Sequence, residues 1–164
     1  NTGLRPSSDE PTHREIYNNS DFVGGIVHTH SQYATAYAQA MKNIENYGTT
    51  HSDYAKHPII CTRPLTKNEI ENDYEKNTGL VIDESLKEHK LDYSDLPGIL
   101  VASHGVFSWG KDLMDAFKNA EIIEYLAKMN LLTKSLNKDQ KKVPDYLSKK
   151  HFDRKHGPDA YYGQ

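Results

Sequence analysis

A lone cysteine, Cys61, leaves no partner for an internal disulfide, and no apolar run approaches the roughly 20 residues that a membrane-spanning helix needs. Basic residues are not in excess. Twenty Lys and Arg stand against 23 Asp and Glu, a net charge of −3, so no global positive field is available to hold nucleic acid or an anionic membrane. Apolar residues are scarce too, at 36%, with a mean hydropathy of −0.80. That balance points to a surface-rich subunit or an incomplete chain. Repeats and low-complexity tracts are absent. The single thiol fits a reducing compartment, and the expected location is the cytoplasm. At 164 residues the chain has the length of one domain with a real core.

Histidine, by contrast, is abundant, with nine in the chain. His28-Thr29-His30 closes the apolar run Val23-Gly24-Gly25-Ile26-Val27. In a strand, residues i and i+2 face the same way, so both rings can converge on one point. His104 ends a second apolar run, Gly98-Ile99-Leu100-Val101-Ala102-Ser103, and Asp9 follows Ser7-Ser8 at the mouth of an expected helix. Three imidazoles and a carboxylate suit zinc or a similar divalent ion, with room left for substrate. The bland alternative is three satisfied polar histidines and a helix-capping aspartate. His13, His57, His89 and His156 read as solvated surface residues.

The pattern predicts a helix over residues 9–19 with Pro11 in its first turn, a buried strand over 23–29, and a helix from the Ser31 cap to about 41. Residues 43–56 read as an irregular polar connection and 57–61 as a short strand. Thr66-Lys67-Asn68-Glu69 matches a capping box. Asn77-Thr78-Gly79 is expected to break that helix, with a second one over 80–89. Strands are expected at 98–103 and 106–110, then the longest helix over 112–134, its core stripe made by Leu113, Phe117, Ala120, Ile123 and Ala127. A charged linker precedes a last helix over 144–154. Alternating strands and helices give an α/β domain in layers.

These blocks together resemble the epimerase branch of the class II aldolase/adducin family. The resemblance rests on Pro6-Ser7-Ser8-Asp9, Gly24-Gly25-Ile26-Val27-His28-Thr29-His30-Ser31, Gly48-Thr49-Thr50-His51-Ser52-Asp53-Tyr54, and Cys61-Thr62-Arg63. It continues through Ser103-His104-Gly105, Arg154-Lys155-His156-Gly157 and Tyr161-Tyr162-Gly163-Gln164. It implies a layered α/β/α sandwich around a central, mostly antiparallel sheet, one domain over residues 1–164. It also implies an N-terminal segment that this sequence lacks, which fits a chain starting at Asn1-Thr2-Gly3.

The implied activity is interconversion of L-ribulose 5-phosphate and D-xylulose 5-phosphate, in pentose (arabinose) or ascorbate catabolism, by cleavage and re-formation of the C3–C4 bond. Direct deprotonation of C4 is disfavoured because no carbonyl neighbour acidifies it. Asp9, His28, His30 and His104 match the family's metal ligands, zinc being the usual ion and Mn2+ or Co2+ alternatives. Asp9, where family aldolases usually carry Glu, leans toward the epimerases. Asp53 and Tyr162 match the two acid–base groups; Ser7, Ser8, Thr49, His151 and Arg154 match substrate-contacting positions. The family also implies a homotetramer whose active sites are shared between subunits.

Bland readings stand beside these. Asp53 can be a helix cap, Tyr162 a frayed terminus, Arg154 a solvated helix end, and Ser7 and Ser8 ordinary turn residues. His51 and His57 receive no role, and Phe107 and Trp109 read as core. The competing functions are a class II sugar-phosphate aldolase and a non-catalytic, adducin-like binding domain.

Overall fold

The computed structural model describes residues 3–156 and 160–161. Its order is α1 (Glu10–Asn18), β1 (Gly25–Thr29), α2 (Gln32–Gln39), α3 (Thr49–Ser52), α4 (Lys67–Glu71), α5 (Tyr74–Glu88), β2 (Gly98–Leu100), β3 (Val106–Gly110), α6 (Leu113–Leu136) and α7 (Asp145–His156). A short 3-10 turn, Tyr93–Asp95, precedes β2.

The three strands form an antiparallel sheet in the order β1-β3-β2. Pleating assigns its faces. The Ser108 hydroxyl donates to the carbonyl of Ala116 at 3.0 Å, so one face lies against α6. The neighbouring Phe107 ring meets His13 of α1, so the opposite face lies against the α1–α5 pair. Helices on both faces make the expected α/β/α layers. The core runs through Ile16, Ile26, Ile82, Leu86, Ile99, Phe107, Trp109 and Ile123, all buried. Trp109 and Phe107 are core residues, as the sequence implies, and the Trp109 indole N–H donates to the carbonyl of Tyr93 at 2.7 Å.

Three expectations are corrected. Gly79 does not break a helix; α5 runs straight through Asn77-Thr78-Gly79, and the break falls earlier, at Asn72-Asp73, where Asp73 takes φ 58°. Gly79 is instead where α5 meets α1: a Cβ there would lie 2.6 Å from the Cβ of Glu15. Residues 57–61 form isolated bridges, Ile44↔Ile59 and Cys61↔Leu100, rather than a strand. Pro58 offers no N–H, and the Cys61 amide donates to the Asn43 side chain at 2.8 Å. On α6, Leu113 and Phe117 are exposed, and the buried stripe is Ala116, Ala120, Ile123, Leu126, Ala127 and Asn130. Small residues win those positions because the helix lies close to the sheet. The capping box at Thr66 and Glu69 forms as expected.

Gly79→Ala tests the contact between α1 and α5. Helix propensity alone favours alanine by about 1 kcal/mol. The Cβ, however, meets a backbone-anchored atom, and overpacking of this kind costs about 1–3 kcal/mol. Urea unfolding is therefore expected to show a less stable variant; a more stable one would show that the two helices part easily.

Candidate metal centre and its surroundings

His28 stands in β1 opposite Phe107 of β3 and stacks on that ring, with centroids 4.0 Å apart and planes within 16°. His30, two residues on, faces the same side. His104 comes from the turn joining β2 to β3. That turn is tight: the Val101 amide donates to the Gly105 carbonyl at 2.8 Å, and Ser103 takes φ 60°. Gly105 is demanded by the site, because a Cβ there would lie 2.7 Å from the Thr29 carbonyl and 3.1 Å from the His30 ring. The outcome is a trio of imidazoles with pairwise centroid distances of 4.9–5.0 Å. One nitrogen from each ring lies within 4.8 Å of the other two.

The donor set suits a divalent ion. The Nδ1 of His28 lies 2.9 Å from the Val106 carbonyl, which can only accept, so Nδ1 carries the proton and Nε2 is left bare. Burial, the dominant effect, lowers the pKa of His28 and of His104, so both are held in the neutral form that binds metal. His28 and His104 are half-buried and His30 is exposed, which leaves one side of the trio open.

Asp9 is the N-cap of α1, yet its side chain makes no cap hydrogen bond. The bland capping role is therefore not played. Its carboxylate instead pulls the His13, His28 and His104 pKa values upward, against the larger effect of burial. His13 differs from expectation: it is half-buried, edge-on to Phe107 at 5.8 Å, rather than solvated. Ser7 and Ser8 are exposed at the entrance to α1, where the Ser7 hydroxyl accepts from the Asp9 amide at 3.3 Å.

A second group forms around Asp53, at the C-terminal end of α3. Arg154 of α7 grips its carboxylate through Nε at 3.1 Å and a terminal nitrogen at 2.7 Å. His151 Nδ1 lies 3.1 Å away and Lys155 Nζ 3.8 Å, while His156 Nε2 donates to the Asp53 main-chain carbonyl at 2.9 Å. Burial would raise the pKa of Asp53. The bonds from Arg154 and His151, with the Lys155 charge, outweigh it and hold the carboxyl below its usual range. A buried polar cluster completes the joint, with the Asn46 amide donating to Ser52 at 3.0 Å and to Ser148 of α7 at 3.3 Å. Thr49 lies on the other side of α3, lining a cavity of about 260 Å³ with His51, Tyr125 and Thr133. His51 is buried, its Nε2 bonded to the His57 carbonyl at 2.9 Å. Tyr162 lies outside the described residues.

None of the hydrogen-bond partners of Asp53 among the described residues is one of the three clustered histidines. A hydrogen-bond partner of His104 is one the sequence did not single out: Tyr74, at the start of α5, has its hydroxyl 3.0 Å from His104 Nδ1. Thirty residues separate the two, and a tyrosine after an aspartate carries no motif.

Residues 1–131 match the domain described as Class II Aldolase and Adducin N-terminal domain. The chain belongs to the class II aldolase and adducin family. It is 50% identical over 162 residues to an L-ribulose-5-phosphate 4-epimerase UlaF of Salmonella paratyphi C, covering 99% of this chain and 70% of that protein. A Salmonella paratyphi A protein of the same name is 49% identical over 160 residues, covering 98% and 69%. Among solved structures, an L-fuculose 1-phosphate aldolase superposes with a TM-score of 0.75 at 22% identity, over 93% of this chain and 65% of that one. That likeness speaks for the fold, and agrees with the class II aldolase layers described above.

The Asp53 grip predicts a pH dependence. A carboxyl with a depressed folded pKa adds stability above its unfolded value, near 3.8, and loses it as the pH falls through the folded value. Protection of the α7 amides, measured against the exchange of the unfolded chain, is expected to fall below about pH 4. Arg154→Ala should weaken the joint by about 1–3 kcal/mol at neutral pH and flatten that acid dependence. Unchanged exchange in α7 would show that the helix is held by packing alone.

Proposed function

We propose that the chain is a metal-dependent 4-epimerase interconverting L-ribulose 5-phosphate and D-xylulose 5-phosphate. The observation that carries this reading is the convergence of His28, His30 and His104, in a chain half identical to proteins named L-ribulose-5-phosphate 4-epimerase. His28 and His104 would bind through Nε2, with His30 and Asp9 completing the set. The ion they hold, zinc or another divalent metal such as Mn2+ or Co2+, supplies a Lewis acid that stabilises negative charge on the ketose oxygens.

The protein's own residues account for the remaining needs. Ser7 and Ser8, at the amide-rich start of the nine-residue α1, suit the substrate phosphate. When C3–C4 breaks, the electron pair stays with the three-carbon fragment as an enediolate, and the C4 hydroxyl loses its proton as the aldehyde forms. Asp53 takes that proton from one epimer and Tyr162 from the other, one group serving each face of the aldehyde. Arg154 and His151 keep Asp53 ionised, which equips it as a base. Thr49 starts the short helix that Asp53 caps, and lines the adjoining cavity. Rotation of the aldehyde before the bond re-forms inverts C4, so both fragments must stay bound and shielded from water.

Asp53 and the three histidines sit in separate groups of one chain, which favours an active site assembled from two subunits. Self-assembly into a homotetramer is supported by an exposed apolar surface on α6, including Leu113, Met114, Phe117, Met129 and Leu132. No helix among the described residues is long and apolar enough to cross a membrane, and Cys61 is a free thiol. We place the enzyme in the cytoplasm, acting on a small sugar phosphate.

NMR of L-ribulose 5-phosphate incubated with the zinc-loaded protein tests the reading. Accumulation of D-xylulose 5-phosphate is expected. Steady release of glycolaldehyde phosphate and dihydroxyacetone would instead identify an aldolase, and no conversion, even with relatives' N-terminal sequence attached, would favour a binding domain. His30→Ala should lose both bound metal and turnover. Tyr162→Phe should keep the metal and lower the rate by about 10²–10⁴-fold; full activity in that variant would remove Tyr162 from the acid–base pair.

A further inference from the structure

We infer that Tyr74 is a positioning residue for the metal centre, its hydroxyl accepting the Nδ1–H of His104 and thereby fixing the ring that presents Nε2. The inference rests on the metal reading above and adds a residue to it. His28 and His104 each need an outer partner, because an imidazole that binds through Nε2 carries its proton on Nδ1 and must place it. For His28 the partner is the Val106 carbonyl at 2.9 Å. For His104 it is the Tyr74 hydroxyl at 3.0 Å. The two partners differ in kind. A carbonyl can only accept, so it fixes the His28 tautomer in any state of the protein, whereas a phenol can accept or donate. Tyr74 therefore accommodates either His104 tautomer in the metal-free chain and becomes an acceptor when Nε2 is taken.

The fold holds this phenol firmly. Asp73 adopts φ 58°, ending the α4 segment and starting α5 abruptly, so that Tyr74 is the first residue of the new helix. The turn that follows is tied to α1. Thr12 donates its hydroxyl to the Glu75 carbonyl at 2.6 Å, and Gly79 brings the helices into close contact one turn further on. The same α1 carries Asp9 at its start. One helix pair therefore positions both the carboxylate of the centre and the outer partner of His104. The Tyr74 and His104 rings are nearly parallel, at 17°, but their centroids are 6.2 Å apart, so the hydroxyl rather than the ring face makes the contact.

Tyr74→Phe removes one oxygen and keeps the ring. In the intact protein, titrated with Zn2+ or Co2+ against a chromophoric chelator, this variant is expected to bind the ion ~10- to 100-fold more weakly, the usual loss when an outer partner is removed. The visible spectrum of bound Co2+ should shift. The Nδ1–H proton of His104, sharp in the metal-loaded parent, should broaden through exchange with solvent. Urea unfolding of the metal-free variant should match the parent, which a merely structural role for the hydroxyl would not give. Parental affinity with an unshifted Co2+ spectrum and a sharp His104 Nδ1–H would overturn the inference. His30→Ala, titrated alongside, keeps the two readings apart: its expected loss of the ion means that unchanged binding in Tyr74→Phe counts against Tyr74 alone. Tight binding retained by both variants would count against the histidine centre itself.

Discussion

The antiparallel pairing of β1 with β3 is the constraint on which the rest of this structure depends. Because His28 is paired with Phe107, the pleat places His28 and His30 on the face that looks toward α1 and α5, and Ser108 on the face that looks toward α6. A slip of β1 by one residue would turn both histidines into the α6 layer, away from Phe107. The core residues on either side thus select the register, and the register selects the chemistry. The turn from Val101 to Gly105 then has one way to bring His104 alongside, since its amide and carbonyl bonds are fixed at 2.8–3.0 Å and Gly105 leaves no room for a side chain.

The two polar groups of the molecule are built by opposite means. Around His28, His30 and His104 the protein gathers groups of the same kind, and burial keeps His28 and His104 uncharged. Around Asp53 it gathers opposite charges, and Arg154, Lys155 and the His151 imidazole of α7 surround one carboxylate that is only 12% exposed. The first arrangement suits capture of a cation, because proton-free nitrogens converge on one point. The second suits an acid–base group that stays ionised near neutrality while its geometry is fixed by a helix from the far end of the chain. A reaction that breaks a carbon–carbon bond and moves a proton calls for both.

Much of this was legible in the sequence, and the parts that were not share a cause. His28 and His30 could be read from strand alternation alone, and Ser31, Thr66 and Asp112 marked the helix starts correctly. Asp53, His151 and Arg154 were legible only through family resemblance, because about a hundred residues separate the partners and no local pattern links them. Gly79 was misread as a breaker for a related reason. A glycine in a helix signals either an end or a close neighbour, and the neighbour, Glu15 of α1, is remote in sequence. Leu113 and Phe117 were assigned to the core by size and spacing, whereas the closeness of α6 to the sheet favours the small Ala116, Ala120 and Ala127 on the buried face. Tyr74 had no signal at all, since its role lies in one hydroxyl reaching a histidine thirty residues away.

Two of the four left-handed non-glycine residues among the described residues, and the like-charge risk, fall beside the histidine site, and this argues for what the surrounding fold is doing. Ser103 and Asp73 hold left-handed backbone conformations that cost a non-glycine residue about 1 kcal/mol or more each. One precedes His104 directly; the other precedes the tyrosine that touches it. Between them, imidazoles stand 4.9–5.0 Å apart, a spacing that would be repulsive if the rings were protonated. With the folded pKa of His28 and His104 lowered, the unfolded chain takes up protons that the folded site refuses as the pH drops below about 6.5, so the site itself works against stability there. Only the tightly packed layers around Phe107, Trp109 and Ile123 can hold such an arrangement in place. An ion bound to the neutral rings would reverse the sign, favouring the folded state by its own affinity.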